Sequence, residues 1–231
     1  MKIVMTGANG FLGTELQKYI DCIPLDIDDV DITDEKKTKE IFEKLQPDVT
    51  VHLAAIVSVV DAERDRNRTV KVNIEGTRIV ASCSSHIIYM SSDYVFDGER
   101  GMYKEEDIPN PRTFIGITKW MGEFNSFYAP RVTIIRTSFK PEPFKHNQAP
   151  SDMFTSADYI SVIAPMIAKA VKNAYILPKI LHIGTERKSV YDLAIRTKPD
   201  IKKISLKDIP YSLPKDCSLD TFRWDKLFQD I

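Results

Sequence analysis

Short apolar runs recur along the chain at residues 1–5, 49–53, 86–90 and 131–136, with a further one at 179–183. Each is too brief for a helix and rich in β-branched side chains, so each reads as a buried strand. Between them the period changes. Leu12, Leu16, Tyr19 and Ile20 fall on one face of a helix, as do Ile41, Phe42 and Leu45 further on. Thr33 is placed to cap the second of these helices, which should stop at Gln46-Pro47. Residues 61–84 predict one long helix with an apolar stripe through Val70, Ile74 and Ile79. Strands alternating with helices in this way predict an α/β fold: a Rossmann-type, doubly wound parallel sheet.

The first strand runs directly into Thr6-Gly7-Ala8-Asn9-Gly10-Phe11-Leu12-Gly13 and then a helix. Glycines at 7, 10 and 13 permit a tight turn, close approach of the backbone to a pyrophosphate, and tight packing of helix on strand. A dinucleotide is therefore expected, with Gly7, Asn9, Gly10, Phe11, Leu12 and Gly13 as its first contacts. A short second strand over residues 22–25 carries Pro24 and delivers Asp26, an acid about twenty residues past the loop. Its carboxylate suits ribose hydroxyls and repels a 2′-phosphate, which favours NAD(H) over NADP(H). Asp28, Asp29 and Asp31 strengthen that bias, and Asp31 and Ile32 join the cofactor-binding candidates. Ala54 and Ala55, small residues at the end of the third strand, leave room for the cofactor. His52, inside that strand, reads as a core histidine, and Trp224 and Phe228 near the end read as core packing.

Composition narrows the partners. The 231 residues hold 32 Lys plus Arg against 33 Asp plus Glu, a net charge of -1 that provides no field for nucleic acid or an anionic membrane. Cys22, Cys83 and Cys217 stand apart without paired histidines, so neither a metal site nor a disulfide framework is expected, and a reducing cytoplasmic setting fits. No run is long enough to predict a bilayer span. The proline-rich stretch 140–151 marks a crossing between a dinucleotide-binding domain, residues 1–140, and a small substrate-binding lobe, residues 141–231, which is expected to interleave with the last strands of the sheet.

After the fourth strand comes Ser91-Ser92-Asp93-Tyr94-Val95-Phe96-Asp97-Gly98, then Glu105-Glu106 with Pro109-Asn110-Pro111, then Phe114-Ile115-Gly116-Ile117-Thr118-Lys119-Trp120-Met121-Gly122-Glu123. Together these resemble the extended short-chain dehydrogenase/reductases, most closely the dTDP-4-dehydrorhamnose reductase branch. Its members show S-T-D-Y-V-F-x-G, E-E-D-x-P-x-P and Y-G-x-x-K-x-x-G-E. His52-Leu53-Ala54-Ala55, Asn73 with Gly76, Arg136-Thr137-Ser138, His182-Ile183-Gly184 and Ser218-Leu219-Asp220 follow the family in order, so the resemblance covers nearly the whole chain.

The resemblance implies hydride transfer from a nicotinamide to a nucleotide-linked 4-ketosugar, with a Tyr as proton donor, a Lys on the ribose and a Ser or Thr at the oxyanion. Carried over, Ser92 and Lys119 take two of those roles, and Asp93, Tyr94, Phe96 and Phe139 take substrate positions. The tyrosine position holds Ile115, which has no proton to give. Tyr94, Tyr103 or a water held by Ser92 are the substitutes the sequence offers. Phe139 stands where the family has Trp, and Leu213-Pro214-Lys215 where relatives place an Arg before Pro. The leading expectation is NAD(P)H-dependent reduction with an altered proton donor. A dinucleotide-binding regulatory or sensor protein is the alternative, and an epimerase or dehydratase of the same superfamily is less favoured. A homodimer paired through helices also follows from the resemblance.

Overall fold

Ile3, Val4 and Met5 alternate between two apolar layers, so the strand they form must be covered on both faces. In the computed structural model, which describes residues 1–210 and 213–229, this strand lies inside a six-stranded parallel sheet. The chain order is β1 (Ile3–Thr6), α1 (Phe11–Leu16), β2 (Ile23–Leu25), α2 (Glu35–Leu45), β3 (Val49–His52), α3 (Val59–Arg64), α4 (Arg66–Val70), α5 (Thr77–Ser82), β4 (His86–Met90), α6 (Phe114–Ser126) and β5 (Arg131–Thr137). There follow β6 (Phe139–Lys140), β7 (Gln148–Pro150), β8 (Phe154–Thr155), β9 (Asp158–Tyr159), α7 (Ile160–Lys172), β10 (Ile180–Ile183), β11 (Lys188–Ser189), α8 (Val190–Ala194), β12 (Lys202–Ile204) and α9 (Phe222–Phe228).

The sheet order is β10-β5-β4-β3-β1-β2. Winding reverses between β1 and β3, and the crevice outside the carboxyl ends of strands at such a reversal is where open α/β sheets bind ligands. One face is packed by α1, α7 and α9 through Leu12, Leu16, Ile163, Ile167, Trp224 and Phe228. The other is packed by α2 and α5 through Phe42, Val80 and Ala81. Residues beyond 140 contribute both β10, which pairs with β5, and α7, which shares a core with α1. A separate cluster of Phe144, Met153, Tyr159, Val190, Leu193 and Ile201 fills the small lobe built on β7, β8, β11, α8 and β12.

Several local expectations are corrected. The cap of α2 is Asp34, whose carboxylate accepts from Lys37 N at 3.1 Å, while Thr33 turns its own hydroxyl to Asp31. The helix does stop at Gln46, which adopts φ 46° before Pro47. α1 closes already at Gln17, so Ile20 is buried but Tyr19 remains on the surface. The long helix is broken into α3, α4 and α5, with a π-helical turn over Lys71–Gly76. Ser58 caps α3 and Asp65 caps α4, so the second cap separates α3 from the helix that begins the apolar stripe. β2 starts at Ile23 and pairs only with β1, so the N–H missing from Pro24 leaves no ladder bond unmade.

Candidate active site

Gly7 leaves β1 at φ +71°, and a Cβ on it would stand 2.6 Å from Ala54 N. A Cβ on Gly13 would stand 2.6 Å from both Gly7 O and Ala8 O. The turn therefore fits only as glycine, and it brings α1 close against the ends of β1 and β3. Gly10 caps α1 with backbone alone, and no side chain closes that end.

Gly7, Gly10, Phe11, Leu12 and Gly13 form one wall of a cavity of about 390 Å³. Ala55, Ser92, Asp93, Tyr94, Ile115, Lys119 and Phe139 form the rest of the walls predicted from sequence. The rings of Phe11 and Phe139 stack with centroids 6.3 Å apart on one side of it. Leu53, Val57, Met90, Ser91, Thr137, Ser138 and Lys140 also line it and were not singled out. Most of these follow the carboxyl ends of β3, β4 and β5, a position that itself marks ligand contacts in parallel sheets. Thr137 Oγ1 is buried in that wall with no hydrogen-bond partner among the described residues, a polar group a ligand would satisfy.

Other expected residues stand outside these walls. Asp26, at the end of β2, accepts from Asn9 N at 2.7 Å and from Ile27 N at 2.8 Å, tying the sheet edge to the glycine turn. Asp31 is held by the backbone and side chain of Thr33, and these hydrogen bonds lower its pKa. Ile32 is buried against Gly76, and Ala54 packs beside Gly7. Phe96 is not exposed to the cavity at all. It stacks on Tyr103 with centroids 4.3 Å apart, lies under the Arg136 guanidinium and meets His182 edge-on. Tyr103, offered as a proton donor, gives its hydroxyl hydrogen to Asp97 and accepts from Glu99 N and Arg100 N, away from the cavity.

α6 sets the position of the lysine. Thr113 caps this helix by accepting from Gly116 N, and Gly122 lets Tyr89 of β4 lie against it, its hydroxyl donating to Lys119 O at 3.2 Å. Lys119 Nζ then sits 4.5 Å from the centroid of the Tyr89 ring. Burial pulls its pKa down to about 7, against the opposing pull of Glu123 one turn on. Glu123 forms a buried two-point ion pair with Arg136 at 2.8 Å and accepts from Ser91 Oγ at 2.6 Å. Asn73, in the π-helical turn, donates to Thr118 Oγ1 at 3.0 Å and to Ile56 O, and accepts from Ile56 N. It pins α6 to the loop that supplies Ala55 and Val57. One turn before Lys119, Ile115 presents a buried apolar side chain to the cavity.

Ser92 Oγ accepts from Tyr94 N at 3.1 Å and lies 3.0 Å from Asp93 Oδ1. Burial raises the Asp93 pKa to about 6, while Lys140, Ser92 and Ser138 favour the carboxylate. His52 is a satisfied core residue between Thr6 Oγ1 at 2.6 Å and Thr77 Oγ1 at 3.1 Å. The three cysteines are free, and no group of His, Cys, Asp and Glu among the described residues is arranged for a metal ion. No helix among them is long and apolar enough to cross a membrane.

A parallel sheet with a glycine turn at its switch point, and a Ser and a Lys meeting in the adjoining cavity, define a Rossmann-fold protein of the short-chain dehydrogenase/reductase type. Residues 1–140 match the model described as the RmlD substrate binding domain, and the chain belongs to that family. It is 30% identical over 197 residues to a dTDP-4-dehydrorhamnose reductase of Aggregatibacter actinomycetemcomitans, a match covering 79% of this chain and 67% of that protein. The structure of a dTDP-4-dehydrorhamnose reductase from Clostridium acetobutylicum superposes with TM-score 0.88 and 26% identity, covering 99% of this chain and 93% of the other. One from Bacillus anthracis in complex with NADP superposes with TM-score 0.86 and 25% identity, covering 98% and 92%. Matches to other curated relatives span about half of those proteins, 53% and 44% in two cases.

Proposed function

We propose that the chain is a nicotinamide-dependent reductase of a nucleotide-linked 4-ketosugar, with NADH preferred to NADPH. The observation that carries this reading is that one cavity of about 390 Å³ is walled on one side by the glycine turn and on the other by Ser92 and Lys119. A dinucleotide laid across the switch point would rest its pyrophosphate on Gly10 to Gly13 and bring its nicotinamide toward Lys119. When bound, that group supplies hydride. Lys119 would hold the nicotinamide ribose, Ser92 would donate a hydrogen bond to the carbonyl oxygen, and Asp93, Tyr94 and Phe139 would meet the sugar. Asp26 supports the NADH preference, because a carboxylate at the end of β2 accepts from ribose hydroxyls and repels a phosphate.

Ile115 in the cavity wall favours a second reading, a protein that binds the dinucleotide without turnover. Loss of a positioned acid removes about 10² to 10⁴ in rate, yet leaves binding intact. Following cofactor absorbance with dTDP-4-dehydrorhamnose separates the two. The reductase reading expects NADH oxidation well above that of Lys119→Ala, and faster than NADPH oxidation. Oxidation no faster than in that variant, with calorimetric binding of NADH retained, leaves the second reading.

A further inference from the structure

We propose that Asp93 replaces the missing proton donor, passing its proton to the carbonyl oxygen through the Ser92 hydroxyl. The inference rests on the reductase reading and specifies how that site works without an acid at position 115. Both residues line the cavity, and the Ser92 oxygen and Asp93 Oδ1 are 3.0 Å apart. A serine hydroxyl has one hydrogen and two acceptor sites. Ser92 already accepts from Tyr94 N. If Asp93 is protonated, its O–H fills the second acceptor site, and the one hydroxyl hydrogen is left for a substrate oxygen. If Asp93 is ionised, that hydrogen turns to the carboxylate and nothing is presented to substrate. The arrangement delivers a proton in one state and withholds it in the other.

The step balances. As hydride from the reduced nicotinamide reaches the carbonyl carbon, the π pair moves to oxygen, which takes the Ser92 hydrogen. Ser92 Oγ takes the Asp93 proton in the same motion, and Asp93 is left as carboxylate. The product is an alcohol, and Asp93 regains a proton from solvent through the cavity after release. Burial keeps Asp93 protonated up to about pH 6. The groups facing it are Lys140 on β6, the hydroxyls of Ser92 and Ser138, Tyr94 N and Cys217, whose thiol is held protonated by burial and by the nearby acids. Lys119 lines the same cavity with its ammonium against Tyr89.

The experiment compares wild type and Asp93→Asn from pH 5 to 9 with NADH and the ketosugar, alongside infrared titration of the protein with NADH bound. Asparagine matches the shape and can still hydrogen-bond Ser92, but has no proton to release. Wild-type kcat/KM should fall tenfold per unit above about pH 6. Asp93→Asn should be slower by about 10² or more at the low end, with a flat profile there. NADH affinity within about twofold of wild type would show that the site is intact. The infrared carboxyl band of wild type should titrate near pH 6 and be missing from the variant. Near-wild-type turnover in Asp93→Asn, a wild-type rate flat above pH 6, or a band that titrates with ordinary carboxylates overturns the proposal alone. Wild type that binds NADH and reduces no ketosugar overturns the reductase reading and the proposal together.

Discussion

Ile115 and Lys119 stand one helical turn apart on α6 and both face the cavity, so what α6 presents to a substrate is one apolar and one cationic side chain. Ile115→Tyr would place a phenol beside an ammonium whose pKa burial has already drawn to about 7. That phenol would donate directly to the carbonyl oxygen and would be independent of Asp93. We expect kcat to rise by about tenfold or more at pH 7, where Asp93 is mostly ionised and Lys119 still half protonated, and the fall to begin near pH 7 rather than 6. A steady-state pH profile of the variant checks this, and an unchanged profile would mean that the site lacks more than the phenol. Ser92 and Lys119 were legible in the sequence through the family resemblance of the segments that carry them, and both line the cavity. Phe96 was misplaced for a physical reason. The short helical turn over Asp93–Val95 rotates the chain after Tyr94, sending the next ring inward onto Tyr103. Thr137 and Ser138 were noted as part of a family segment but given no role in the site, although their place at the end of β5 brings them to the cavity.

At the scale of elements, strands were easier to read than helices. A strand buried on both faces shows itself as an unbroken apolar run, whereas the stripe through Val70, Ile74 and Ile79 runs on across α4, the turn that carries Asn73 and α5, and the cap at Asp65 sets α3 apart. From that π-helical turn Asn73 bonds both Ile56 and Thr118, tying the loop after β3 to α6. The β1–α1 turn carries the most demanding geometry. Gly13→Ala would set a methyl 2.6 Å from two carbonyl oxygens and 2.7 Å from Ala8 Cα, and α1 would have to move off the turn. Overpacking of this kind destabilises by about 1–3 kcal/mol. The same displacement should weaken NADH by about tenfold or more, because backbone approach to the pyrophosphate depends on it. Calorimetry with NADH, read beside thermal unfolding, tests both, and tight NADH binding in the variant would show that the turn is not the pyrophosphate site.

Across the whole molecule, three histidines buried in the six-stranded sheet and one acid buried just past β4 have titrations that oppose one another. Burial lowers the pKa of His52 and of His182 to about 3, with the charges of Lys119 and Arg136 adding to the effect, and lowers that of His86 to about 4. Their folded values lie below the ordinary 6.5, so between pH 6.5 and about 4 the unfolded chain takes up protons there that the folded chain refuses. Asp93 works the other way: its value of about 6 lies above the ordinary 3.8, and in that window the folded chain holds the extra proton. The histidines outnumber the acid, so the unfolded state binds more protons and stability falls on acidification. Each net proton is worth about 1.4 kcal/mol per pH unit. About two net protons across 1.5 pH units give an expected loss of about 4 kcal/mol between pH 6.5 and 5, seen as a lower urea midpoint with an unchanged slope. Below about pH 4 the hydrogen-bonded Asp31, Asp97 and Asp152, all held below their usual values, add to the loss. Asp93→Asn removes the opposing term and should steepen the decline, whereas a urea midpoint that holds or rises from pH 6.5 to 5 would mean that the histidines are not kept neutral in the folded sheet.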